Sequence, residues 1–122
     1  MKKIILGHAV IETLGGLLLI FNPAILMIEP LSTPLVSVIK LFGVLVFAFG
    51  LGSILIYRTF EYSKWYKMWV LLFMGYHFIQ ALQCYGFYNI KVLSNMGAFV
   101  LHLVLAGLFM VTFMRERELY PE

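Results

Sequence analysis

The stretch from residue 4 to residue 21 reads IILGHAVIETLGGLLLIF, an apolar run interrupted by His8, Glu12 and Thr13. A helix of this length approaches the ~30 Å hydrocarbon thickness of a bilayer. The alternation of apolar and polar residues that is typical of a membrane barrel strand is absent. His8 and Glu12 interrupt the run, and no small-x-small cleavage site follows Phe21, unlike in a signal peptide. We therefore expect a retained first transmembrane helix.

Three further stretches have the same character, at about residues 35–57, 65–85 and 96–113. The chain has 122 residues, of which 62% are hydrophobic and only 12% are charged. A soluble domain of this size would need more polar surface to cover its core. The sequence thus predicts an all-α integral membrane protein, a single domain over residues 1–122 folded as a four-helix up-down-up-down bundle.

Lysine and arginine residues are distributed unequally between the two ends of these spans. One side is flanked by Lys2, Lys3, Arg58, Lys64, Lys67, Arg115 and Arg117, the other by Lys40 and Lys91. The positive-inside rule then predicts a multi-pass protein of the inner (plasma) membrane with both termini in the cytoplasm. The basic residues are too few to form a nucleic-acid-binding surface.

The connection after the first span contains Pro23, Pro30 and Pro34. Each proline lacks an amide donor and disfavours helix in the residue before it. Residues 24–28 are apolar, which is consistent with a segment lying in the outer interface. An extension of the first helix beyond a kink at Pro23 is the alternative, and the sequence leaves both open.

Small residues in the spans predict close approach of helix backbones. They are Gly15, Gly16, Gly43, Gly50, Gly52, Gly97 and Gly107. Gly43 and Gly50 are seven positions apart and share one helix face. Cys84 is the only cysteine, so an internal disulfide is excluded. We expect it to pack as a small apolar side chain.

Polar side chains within the spans are the main functional signal. His8 and Glu12 are one helical turn apart on one face. The third span carries a broad polar face, and the fourth carries one histidine at a depth similar to that of Glu12. Ionisable groups at bilayer depth usually face a bundle interior and mark a functional path. We predict Glu12 and His77 as catalytic residues, and His8, Tyr76, Gln80, Gln83 and His102 as ligand-binding residues.

Three chemistries suit this set of residues. Imidazoles and a carboxylate can coordinate a metal ion, and the chain offers up to four such ligands. Two histidines from different helices can instead serve as axial ligands of a haem. In the third, which we favour, the polar face lines a pocket for a lipophilic, quinone-like molecule or cofactor within an oxidoreductase system. Glu12 is then the natural proton donor or acceptor. The sequence leaves open whether the protein is an enzyme.

A non-catalytic interpretation stands beside these. The polar side chains would hold helices together, each interhelical contact contributing about 0.6–2 kcal/mol. The protein would then be a membrane subunit, an assembly factor or a homo-oligomer.

The run GHAVIETLGGLLLIFNP, at residues 7–23, resembles the opening of DoxX-like small four-helix membrane proteins. The shared features are a glycine-rich first helix, an apolar run and a proline-containing connection. This resemblance implies a four-helix membrane fold, with links to quinone-dependent oxidoreductase complexes or to membrane-protein assembly. The chain is also similar to sterol-isomerase-type membrane bundles, which place carboxylates in a lipophilic cavity. Neither resemblance assigns a role to a particular residue.

Overall fold

The computed structural model describes residues 2–28, 32–59 and 64–119, with the side chains of residues 64 and 116–119 left aside. These ranges are almost entirely helical, and the prediction of an all-helical chain with four long helices is confirmed. The helices are α1 (Lys2–Phe21), α2 (Thr33–Arg58), α3 (Lys64–Asn89) and α4 (Gly97–Leu119), with a short 3-10 helix at Pro23–Leu26.

Three of the described helices are long and apolar enough to cross a membrane: α1, α2 and the Gly97–Arg115 part of α4. The sequence predicts four spans. α3 has the length of α2, 26 residues each. Its polar side chains between Tyr76 and Gln83 make it less apolar than the others. The polar residues that suggest a functional site are therefore also the reason that α3 is less apolar than the other helices.

Pro23 ends α1 and starts a different structure. Residues 24–28 do not extend the first helix, so the extension alternative is wrong. The 3-10 helix is followed by Met27, which forms an antiparallel bridge with Leu93 in the connection between α3 and α4. The amide of Ser94 donates to the Leu26 carbonyl oxygen at 3.0 Å. The two connections are thus joined at one end of the molecule, while Pro30 lies outside the described residues.

α3 continues beyond the predicted end at residue 85 and stops in a Schellman motif. Lys91 has a φ of 60°, the left-handed conformation that commonly ends helices. Its amide donates to the Tyr88 carbonyl oxygen, and the Val92 amide donates to the Phe87 carbonyl oxygen at 2.8 Å. These bonds satisfy carbonyl groups that the helix end would otherwise leave without donors.

α1 and α2 touch along a seam of glycines. A Cβ on Gly16 would lie 2.7 Å from the Phe47 Cα, and a Cβ on Gly50 would lie 2.9 Å from the Thr13 Cα. A Cβ on Gly43 would lie 3.0 Å from the Gly16 carbonyl oxygen. The prediction of close backbone approach is therefore correct for these three glycines. It is wrong for Gly15, Gly52 and Gly107, where a Cβ would meet open space, and for Gly97, where it would meet only the Asn95 side chain.

Two hydrophobic cores lie at different levels of the molecule. The first, which we call the shared core, consists of Ile5, Tyr66, Val70, Phe73 and Phe109, with Phe49, Ile56 and Tyr57 of α2 packed against it. It therefore joins all four helices. The second, the hairpin core, consists of Leu19, Ile39 and Val46. Its partly buried neighbours come from α2 and from the segment that includes Leu26 and Met27, so this core belongs to the α1–α2 half.

Candidate functional site

His8 and Glu12 lie on the inner face of α1, between the two cores. Their exposed fractions are 0% and 1%. The same face carries Ile5 toward the shared core and Gly16 toward α2. The spacing of four residues keeps both polar groups on this face, as the sequence predicted. Both side chains are enclosed by neighbouring helices.

A hydrogen-bond chain fixes the orientation of His8. The Ser53 hydroxyl donates to the Phe49 carbonyl oxygen at 2.8 Å, and the His8 Nδ1 lies 2.7 Å from the Ser53 Oγ. Because the single hydroxyl proton points to Phe49, the Ser53 oxygen accepts and His8 Nδ1 carries the proton. In neutral His8, the lone pair therefore resides on Nε2. That Nε2 is buried and has no hydrogen-bond partner.

Tyr76 connects α3 to the carboxylate of α1. Its hydroxyl donates to Glu12 Oε2 at 2.9 Å. The tyrosine ring stacks on Phe49, with ring centroids 4.4 Å apart and an interplanar angle of 13°. This stacking restricts the tyrosine rotamer. One carboxylate oxygen is thus held by a hydroxyl donor whose position is set by α2.

His77 lies at the centre of the cluster. Its Nδ1 is 2.9 Å from Nδ1 of His102 and 3.9 Å from Glu12 Oε1. One of the two imidazoles must donate to the other, since two lone pairs or two N–H groups would repel. His77 Nε2, like His8 Nε2, is buried without a hydrogen-bond partner. We call His8, Glu12, Tyr76, His77 and His102 the polar cluster.

Aromatic rings separate the polar cluster from the surroundings on the shared-core side. The His8 ring is 4.5 Å from the Phe73 ring and 5.3 Å from the Phe109 ring, measured between centroids. Phe109 also stacks on His77 at 5.9 Å. Charges and hydrogen bonds act more strongly in such an apolar enclosure than in water.

The remaining candidates from the sequence lie at different distances from this centre. Gln80 is 8% exposed, one turn along α3 from Tyr76 and His77. Gln83 is exposed, on the outer side of α3, and Cys84 is half-buried. The polar face of α3 is therefore divided. Tyr76, His77 and Gln80 turn inward, whereas Gln83 points away from the bundle interior.

Ser53 and Phe49 of α2 also belong to the site, although they are absent from the residues predicted from the sequence. Ser53 is fully buried and orients His8, and Phe49 supplies both a carbonyl acceptor and a stacking ring. A signal for Ser53 was present, because Gly43, Gly50 and Ser53 fall on one face of α2. A face identified as a packing seam thus also carried a polar group.

The spacing of the imidazoles bears on the haem hypothesis. Two imidazoles on opposite faces of a haem iron have ring centres about 6 Å apart, since each metal–nitrogen bond is about 2.0 Å. The ring centroids of His8 and His77 are 4.8 Å apart, and those of His77 and His102 are 5.2 Å apart. Neither pair has the spacing of axial haem ligands.

Comparison of the chain with models of protein families, with curated proteins and with solved structures gives no significant match. The resemblance of residues 7–23 to DoxX-like proteins stays a prediction.

Proposed function

We propose that the chain is an integral membrane protein whose four helices cross the inner membrane in up-down-up-down order. Three helices have the length and composition for this, and α3 has the length. Contacts between α1 and α2 support opposite directions, since Gly16 faces Phe47 while His8 faces Ser53. On the other pair, His77 meets His102 and Phe73 meets Phe109. Tyr76, His77 and Gln80 of α3 turn toward partner helices, which lowers the cost of placing these polar side chains in lipid.

Both termini lie in the cytoplasm in this proposal. The ammonium group of Lys2 lies 5.1 Å from the centroid of the Tyr57 ring, near the end of α2 that carries Arg58. Basic residues thus gather at one end, as the positive-inside rule requires. Reporter fusions at each terminus and at Lys91 test this orientation. Cytoplasmic activity at both termini and its loss at Lys91 are expected, whereas the reverse pattern contradicts the proposal.

We further propose that the polar cluster binds a lipophilic small molecule with a carbonyl group, of the quinone class. The observation that carries this is the position of the cluster. On one side of the polar cluster, the shared core joins all four helices. On the other side, the hairpin core belongs to the α1–α2 half alone. Tyr76 and His102 remain partly exposed at this boundary. A flat apolar ligand between the helix pairs would bring its carbonyl oxygen to the edge of the cluster.

Each polar residue has a role in this arrangement. The Gln80 amide and the imidazole of His102 are donors for a carbonyl oxygen. Glu12 accepts from Tyr76 and supplies or receives the proton that accompanies ligand chemistry. Next to His77 and His102, α3 and α4 expose the apolar side chains of Phe78, Ile79 and Leu103, which suits a ligand that arrives through the lipid.

To test this proposal, purified protein in detergent is titrated with a short-chain benzoquinone while its tryptophan fluorescence is measured. Quenching that saturates is expected, and Gln80→Leu should weaken binding about 3–10-fold, the effect of one lost hydrogen bond. Gln83→Leu is the matched control, because it removes the same amide from the exposed face of α3. Equal binding by both variants would contradict the assignment, as would the absence of saturable quenching. Mass spectrometry of organic extracts identifies the natural ligand.

The non-catalytic interpretation has its own supporting observation. The bonds His8–Ser53, Tyr76–Glu12 and His77–His102 each connect two different helices. A scaffold built from them would predict that Glu12→Gln, which preserves an acceptor for Tyr76, leaves both stability and assembly unchanged. Loss of benzoquinone binding in this variant at unchanged thermal stability would favour the ligand-binding proposal.

A further inference from the structure

We propose that His8, Glu12 and His77 form a binding site for a divalent transition-metal ion, of the zinc and ferrous iron class. Each residue offers one ligand atom, and these atoms lie within 4.8 Å of one another. Two imidazoles and one carboxylate form a donor set found in zinc enzymes and in non-haem iron proteins. The inference does not depend on whether a lipophilic ligand binds nearby.

The hydrogen bonds of the two imidazoles support this site. In both His8 and His77, Nδ1 has a polar partner and Nε2 is buried without one. A buried imidazole nitrogen that finds no partner destabilises the folded protein, because it has lost its hydrogen bond to water. A metal ion coordinated through Nε2 would give each of these nitrogens a partner. Residues that served only to connect helices would not require two such atoms in neighbouring rings.

Each of the three ligands also has an orienting partner outside the set. Ser53 holds His8, Tyr76 holds Glu12 through Oε2, and His102 holds His77. Ligating histidines usually donate their second ring N–H to such a partner, and ligating carboxylates are hydrogen-bonded as well. The other oxygen of Glu12, Oε1, lies 3.9 Å from His77 Nδ1. The cluster therefore has the outer layer of contacts that metal sites use.

The spacing requires only a small contraction. Ligand atoms around a tetrahedral ion are about 3.3 Å apart for bonds of about 2.0 Å. Two imidazoles on such an ion have ring centres about 5 Å apart. The ring centroids of His8 and His77 are 4.8 Å apart. Side-chain adjustments of about 1 Å would bring three ligands to one ion, leaving a position for water or substrate.

The direct test uses Co²⁺ as a spectroscopic probe of the proposed metal site. Purified protein in detergent is stripped with a chelator and titrated with Co²⁺ under anaerobic conditions. We expect visible d–d absorption that saturates at one ion per chain and is displaced by Zn²⁺. Parallel titration with Fe²⁺ and metal analysis of untreated protein distinguish zinc from iron. No saturable absorption and no bound metal would overturn the proposal.

Variants locate the ion. His8→Asn keeps an amide donor for Ser53 but removes Nε2, and Glu12→Gln removes the carboxylate charge. Both should abolish the cobalt spectrum, whereas Gln83→Leu, on the exposed face, should bind as wild type. Ser53→Ala should weaken binding about 10–100-fold, because it releases the orientation of His8. Wild-type affinity in a folded His8→Asn protein contradicts the assignment.

X-ray absorption at the zinc edge of the wild-type protein needs no substitution. A shell containing two imidazoles supports the site, and a shell without imidazole overturns it even if every variant fails to fold.

Discussion

The α1–α2 pair and the α3–α4 pair are held together in different ways. α1 and α2 approach through Gly16, Gly43 and Gly50, where added side-chain carbons would collide with the facing helix. On α3 and α4, Gly75 and Gly107 face open space. That pair instead meets through rings, with Phe73 and Phe109 5.5 Å apart and His77 and His102 in hydrogen-bond contact.

This difference has a consequence for the site. In the membrane that we propose for this chain, helix pairs associate through packing and polar contacts, because the apolar lipid tails around them provide little hydrophobic driving force. The glycine seam gives α1–α2 a backbone contact that is independent of the polar cluster. The α3–α4 pair depends on large side chains, among them the histidines of the cluster. We therefore expect the two pairs to respond differently to substitution.

Removal of a ring from the shared core should have the largest effect. Phe109 is fully buried and contacts Phe73, His8 and His77. Phe109→Ala should lower the free energy of unfolding by about 3–5 kcal/mol, because the cavity it leaves is lined by rigid rings. Reversible unfolding in mixed micelles measures this loss. Phe78→Ala, at a position that is 53% exposed, should change stability by less than a third as much. Equal losses in the two variants would mean that the shared core is not the main contact between the pairs.

Addition of one methyl group to the glycine seam should have the next largest effect. Gly16→Ala places a Cβ against the Phe47 backbone, which forces α1 and α2 apart. A loss of about 1–3 kcal/mol is expected, as for other overpacked positions. Thermal unfolding followed by circular dichroism would detect it. Unchanged stability would contradict the close approach of the two backbones at Gly16.

Removal of the hydroxyl that orients His8 should have a smaller effect. Ser53→Ala leaves His8 Nδ1–H without its acceptor. We expect a loss of about 1 kcal/mol, within the range of interhelical hydrogen bonds in membranes. The same unfolding assay applies, and Ser53→Thr, which restores the hydroxyl, should recover part of the loss. Equal stability in Ser53→Ala and Ser53→Thr would show that the hydrogen bond does not stabilise the fold.

The smallest effect is expected at Gly107. A Cβ there would meet nothing within 4 Å, so Gly107→Ala should be tolerated or slightly stabilising through higher helix propensity. Its thermal stability, compared with that of Gly16→Ala, isolates the packing effect of one methyl group. A loss as large as that of Gly16→Ala would contradict the contrast between the two helix pairs.

The sequence by itself determined the helices and the list of polar residues. An apolar run that crosses a bilayer must satisfy its backbone hydrogen bonds internally, so such runs predict helices without reference to neighbouring segments. The spacing of four residues places His8 and Glu12 on one face of α1. The spacing of seven residues places Gly43 and Gly50 on one face of α2. These are properties of one helix, so they could be predicted from one segment at a time.

The tertiary structure alone decided which of these residues meet. Gly16 packs against α2 but neighbouring Gly15 does not, and Gln80 turns inward while Gln83 is exposed. Ser53 and the two partnerless Nε2 atoms also emerge only when helices are placed side by side. The physical reason is that helix rotation and register depend on contacts between distant segments. Helical periodicity fixes a face, but it does not specify which neighbour that face will contact.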